Sequence, residues 1–288
     1  MISTTRKSPR WRFYLLLSLL FLSACSSTTF VYNRLDFIVP WYVGRYVDFD
    51  RNQNEAFKVL LNDTLEWHRS EELPRYAKVL AAVQQELDKT TISLDTVDFY
   101  SGLIEEDWYR LRDRVLEDML QMGENLSDEQ LADFIAELEK KQRKYERKYL
   151  DRDEKEFRKD AVDELNDVFK DFLGRLSDEQ RARVQLTADR LKRSDSIWLE
   201  ERAQWIEQTA RDLEREPGWQ QRIRERVINW EERLDPEILA LYEHNTAVVE
   251  ALVVDLFNTR SERQEKRLRR KVAGFIDDLE VLTEQRTN

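Results

Sequence analysis

Cys25 is the only cysteine in the 288-residue sequence, and its setting points to one chemistry. It follows Leu22-Ser23-Ala24 at the end of an apolar run, residues 13–22, that Arg6, Lys7, Arg10 and Arg12 precede. A basic stretch, a short apolar stretch and small residues make a secretory signal, too short to span a bilayer as a mature helix. A cysteine after Leu-Ser-Ala matches the bacterial lipobox. Its thiol takes a diacylglycerol, the chain is cut before it, and the new amine is acylated, with palmitate the expected chain. The bland alternative is a plain signal peptide with a cysteine nearby. The residue after Cys25 is Ser26 and not Asp, which favours delivery to the outer membrane.

The other reactive side chains suggest no catalysis. Histidine occurs twice, as His68 and His244, and neither sits in Glu-x-x-His or His-Glu-x-x-His. A helical di-metal or zincin site therefore lacks its ligands, and no metal is expected. His68, between Trp67 and Arg69, reads as a hydrogen-bonded packing residue. There is no Gly-x-Ser-x-Gly, and six glycines leave little for a phosphate-cradling loop. Carboxylate groups such as Glu105/Glu106/Asp107 and Asp151/Asp153 arise by chance among 58 acids and read as solvated helix faces. The expectation is a protein that is not an enzyme and carries no cofactor.

Cleavage before Cys25 removes four cations, taking the formal charge from −11 to −15, with 43 cations against 58 acids. Such a chain is a poor general ligand for nucleic acid, and no nucleic-acid partner is expected. The basic runs at residues 140–148 and 260–271 read as helix faces paired with neighbouring acids, with an anionic partner as the competing reading. One cysteine excludes an internal disulfide. Scarce glycine and proline with 36% charged residues is the composition of long helices.

The elements follow the same logic. Three segments are expected: a signal peptide (1–24), a lipid anchor and aromatic strap (25–49), and a helical domain (50–288). The strap holds Phe30, Tyr32, Phe37, Trp41, Tyr42 and Tyr46. It is read as ordered chain crossing a helical body, and the competing reading is a segment at the lipid headgroups. Asp50 with Gln53 makes a capping box, after which Phe57, Leu61, Leu65 and His68 share a helix face. Pro74 interrupts or restarts that helix. A further helix runs from about Asp95 to Met122.

Two boundaries are written alike, Gly123…Leu126-Ser127-Asp-Glu-Gln130 and Gly174…Leu176-Ser177-Asp-Glu-Gln180, 50 residues apart. Each reads as a glycine stop and a Ser-x-x-Gln cap, one capping solution used twice in preference to an ancestral repeat. Residues 127–173 hold neither Gly nor Pro, enough for a helix of about 70 Å, either a solvent-projecting arm or a hidden bend. Val184, Leu191, Trp198 and Trp205 keep a seven-residue, coiled-coil spacing. Asp235-Pro236 opens a last helix extending past Leu279. No alternating strand pattern occurs. The predicted fold is all-α, an elongated multi-helix bundle with long antiparallel helices.

Tyr32-Asn33-Arg34-Leu35-Asp36-Phe37-Ile38-Val39-Pro40-Trp41-Tyr42 resembles the opening signature of a family of uncharacterised Gram-negative lipoproteins. Trp67-His68-Arg69 and Glu72-Leu73-Pro74-Arg75-Tyr76 resemble two further blocks of that family. Phe37 stands where tryptophan is usual. The resemblance implies a lipoprotein of helical fold and no particular activity. Leu-Ser-Asp-Glu-Gln is also similar to the Leu-Thr-x-x-Gln motif of small periplasmic stress chaperones.

The expected role is therefore that of an outer-membrane-anchored periplasmic lipoprotein, non-enzymatic, that binds or scaffolds an envelope protein. A periplasmic chaperone and an envelope enzyme are the alternatives. Cys25 attaches the lipid, and Arg34, Asp36, Trp67, His68, Arg69 and Arg75 form the candidate binding cluster.

Overall fold

The computed structural model describes residues 25–285, so the leader lies outside the described residues. The fold is all-α, and no strand occurs among the described residues. The region expected as a strap is helical: α1 (Cys25–Tyr32) and α2 (Leu35–Val43), with Pro40 inside α2. Its largely apolar sequence lacks glycine before Gly44, so nothing holds it extended. Of its aromatic side chains, Tyr32 and Tyr46 lie against the body, whereas Phe30, Phe37, Trp41 and Tyr42 are exposed.

The first long helix is α3 (Arg51–Trp67), a π-turn (His68–Glu72) and α4 (Leu73–Glu86) in succession. The α-helix is interrupted by the π-turn and restarts at Leu73 with Pro74 in its first turn, without a change to loop. Proline lacks an N–H for the preceding turn, and the wider π-turn accommodates that loss. Next come α5 (Leu94–Glu124) and α6 (Asp128–Tyr149). The long Gly- and Pro-free stretch is bent, because α6 ends before residues 150–153 and Asp153 caps α7 (Glu154–Leu173). Arg152 at the bend bonds Asp160 and Asp195, both within 3.0 Å.

The seven-residue stripe is likewise divided. α8 (Asp178–Arg190) ends at Leu191, whose backbone is extended, and α9 (Asp195–Asp212) starts afresh. Beyond α10 (Trp219–Ile228) and a 3-10 turn (Glu231–Arg233), the expected last helix is two, α11 (Pro236–Asn258) and α12 (Glu262–Glu284). A further capping box, Ser261 with Gln264, separates them. Gly123 is no stop, since it lies within α5, where a Cβ would come 3.1 Å from the Trp219 ring. Gly174 is one, with φ +77°.

The four capping boxes work in pairs. Gln53 and Gln130 exchange side-chain amide hydrogen bonds at 2.9 and 2.7 Å, as Gln180 and Gln264 do at 3.3 and 2.8 Å. Each glutamine also donates to the carbonyl two residues before its partner's cap. Gln53 reaches Asn125, Gln130 reaches Asp48, Gln180 reaches Thr259 and Gln264 reaches Arg175. The packing repeats the same scheme. α3 lies on α5 as α8 lies on α11, while α6 packs along α9 and α12 along α4. Residues 50 and 177 thus correspond, as do 127 and 261, and the recurring unit is about half the described chain rather than 50 residues. The largest core joins Leu165, Phe169, Leu173, Val184, Ala188, Leu252, Leu256 and Leu268 from α7, α8, α11 and α12.

Candidate functional site

The π-turn gathers four of the candidate residues, Trp67, His68, Arg69 and Arg75, where α1, α4, α5 and the end of α12 meet. Widening the helix by one residue at this turn lets consecutive side chains reach different neighbours. His68 Nδ1 lies 3.0 Å from the Tyr32 hydroxyl, its ring stacks on Tyr32 at 5.8 Å, and the Tyr76 ring meets it edge-on at 5.5 Å. Burial pushes His68 down to about 4, with Glu72 opposing and Arg69 reinforcing the shift, so the ring is neutral near pH 7. Burial also pushes Tyr32 up to about 12 and raises Tyr76.

Arg69 hooks the chain end. Its guanidinium donates to the carbonyls of Leu282 and Gln285 at 3.0 and 3.2 Å and to Asn33 Oδ1 at 3.2 Å, and it covers the Tyr32 ring at 5.0 Å. A cation on the last carbonyls of a helix satisfies orphan acceptors and complements the helix dipole. The other half repeats the device. Arg193, between α8 and α9, donates to the Tyr149 carbonyl at the end of α6 at 3.0 Å and faces the Phe157 ring at 5.7 Å.

Below the histidine, fully buried Glu72 accepts two hydrogen bonds from Arg110. Arg75 donates twice to Asp107 at 3.1 and 2.9 Å and stands 3.8 Å from Glu72. Burial raises Asp107 while Arg75 pulls it back, and the hydrogen bond to Glu72 raises Arg110. Two acids are thus lidded by two half-exposed guanidiniums. Apart from Glu72 Oε2 and Arg69 Nε, which are buried without a hydrogen-bond partner, these groups are spent on one another, and the cluster ties α1, α5 and α12 to one turn.

Arg34 and Asp36 are not brought in. Arg34 lies over the Phe30 ring at 5.7 Å, and Asp36 is exposed on α2. Cys25 opens α1. Among the residues missed by sequence reasoning, Tyr32, Asn33, Glu72 and Tyr76 stood inside the quoted blocks, while Arg110 and Gln285 carried no signal. Asp107 stood in the carboxylate run read as a solvated face, yet it and Glu105 are buried. In the basic run at 260–271 three cations pair with acids, Arg260 and Arg269 with Glu265, Arg269 with Asp88, and Lys271 with Asp171, while Arg267 donates to the Asp171 carbonyl. An open polar concavity at the α6–α7 bend is lined by Lys148, Asp151, Arg152, Glu156, Lys159 and Asp160. Among the described residues, no three His, Cys, Asp or Glu side chains are grouped to hold a metal ion, and no helix is long and apolar enough to cross a membrane.

Residues 45–237 match DUF6279, a family of unknown function. The chain belongs to the DUF6279 family. The DUF6279 match contains the π-turn, Glu72, Arg75, Tyr76, Asp107 and Arg110, and it stops short of both the Tyr32–Asn33 contact and α12. No curated protein and no solved structure matches this DUF6279 chain.

Proposed function

We propose that the protein is a lipoprotein of the outer membrane, held by acylated Cys25, with a helical body on the periplasmic side that binds or scaffolds an envelope protein without catalysing a reaction. The observation that carries this reading is Cys25 itself, the sole cysteine, placed after Leu22-Ser23-Ala24 and opening α1. Cleavage at that point would leave the helical body whole. The π-turn cluster supports a structural and not a catalytic role, because His68, Glu72 and Asp107 are engaged by protein groups.

The test is the mass of the N-terminal peptide from cell envelopes, with a Cys25→Ser chain alongside. The expected result is a peptide beginning at Cys25 and carrying acyl chains. Cys25→Ser should leave the outer-membrane fraction. An unmodified Cys25, or a Cys25→Ser chain that stays in place, would refute the anchor.

A further inference from the structure

Four of the six exposed aromatic side chains among the described residues lie on α1 and α2. Phe30 is 63% exposed, Phe37 69%, Trp41 60% and Tyr42 50%. Phe37 and Trp41 stand four apart, on one face of α2. Cations fringe these rings: Arg34 lies 5.7 Å from the Phe30 ring, Arg45 5.4 Å from Trp41, and Lys141 of α6 5.6 Å from Tyr42. The single charge within α2 is Asp36. Aromatic rings bordered by arginine and lysine suit one environment in particular, the bilayer interface, where rings sit at headgroup depth and guanidiniums meet phosphates.

We propose that α1 and α2 lie in the headgroup layer of a phospholipid bilayer, with Phe30, Phe37 and Trp41 inserted and Arg34 and Arg45 on lipid phosphates. This inference rests on the lipid-anchor reading for its choice of lipid over protein. Cys25 is five residues before Phe30, about 7.5 Å along α1, so a lipid attached there would hold α1 close to the bilayer surface. The opposite side of the segment is fastened to the body, through Thr29 to Asp278 at 3.0 Å and Tyr32 to His68. Immersing the aromatic face would therefore fix the orientation of the whole molecule, which a flexible lipid tether alone would leave free.

The test is photo-crosslinking in intact cells, with benzoylphenylalanine replacing Phe37 or Trp41, and Met119 on α5 or Leu186 on α8 as equally exposed controls, at 59% and 58%. These positions are on the surface, so the substitutions leave the core untouched. Phospholipid adducts at Phe37 and Trp41, lost at Met119 and Leu186, are the expected result. Protein adducts in their place, or no adducts above the controls, would overturn the proposal. The N-terminal mass is read separately on the same cells. An acylated Cys25 without lipid adducts rejects the immersed face and keeps the anchor; lipid adducts with unmodified Cys25 do the reverse.

Discussion

Gln180 and Gln264 each close the capping box of their own helix and then hydrogen-bond each other, so the starts of α8 and α12 are joined through one buried amide pair. Gln180 is 1% exposed and Gln264 6%. An amide left alone there loses its partner without regaining water.

Gln180→Ala should therefore destabilise by about 2 kcal/mol, and Gln264→Ala by a similar amount. Because the two share their bonds, the double variant should cost less than the sum. Urea unfolding of the four proteins in the cycle checks this; strict additivity would contradict the pairing.

The His68 shift has a definite sign. Its folded value of about 4 lies below the unfolded 6.5, so the unfolded chain binds more protons between those values. The contribution is complete above pH 6.5 and is lost as pH falls toward 4, on the order of 3 kcal/mol in all. His68→Phe should flatten the stability profile across that window. Unfolding midpoints at pH 7, 6, 5 and 4.5 measure the difference, and parallel profiles would show that His68 is not the group concerned.

Arg110 lids an acid with no exposure to water. Arg110→Ala should cost about 3 kcal/mol, since it removes both hydrogen bonds of the buried Glu72 carboxylate and leaves only Arg75 at 3.8 Å. Pairing Arg110→Ala with Glu72→Gln should recover much of that loss. If the second substitution deepens the loss, the carboxylate is not the reason for the first.

Arg69→Ala should free the last turn of α12, and Arg193→Ala the last turn of α6, each at about 1 kcal/mol. Amide hydrogen exchange should rise locally at Leu282 in the first variant and at Tyr149 in the second. An equal rise along both helices in either variant would mean that the hook is not local.

Much of the fold is legible in the sequence because caps are local chemistry. Asp50–Gln53, Ser127–Gln130 and Ser177–Gln180 form as their spacing requires, and the helix expected from about Asp95 to Met122 spans Leu94–Glu124. What periodicity does not register is where one apolar stripe passes into another of the same phase. Val184 and Trp198 keep the seven-residue spacing across a break at Leu191, and the helix opened by Asp235-Pro236 likewise gives no sign of its break at Thr259–Ser261. The segment at 25–49, rich in aromatics and short of helix signals, is largely helical, with Tyr32 and Tyr46 against the body and Phe37 and Trp41 exposed. At the π-turn, Trp67 to Tyr76 were conspicuous as blocks, but Arg110 reaches Glu72 and Asp107 meets Arg75 from a helix whose own sequence says only that it is amphipathic.

The two ends of the described chain touch. Thr29 bonds Asp278 and Asn33 bonds Gln285, while the halves they terminate exchange their last helices, α6 onto α9 and α12 onto α4. Traced through its contacts, the polypeptide closes into a loop whose seam at the termini has the same character as the junction at residues 150–153. A short linker from Gln285 back to Ser26, with new ends opened at Asp151, should then yield a circular permutant that folds to the same helices, and a protease nick at that bend should leave two fragments that stay together until denaturant separates them.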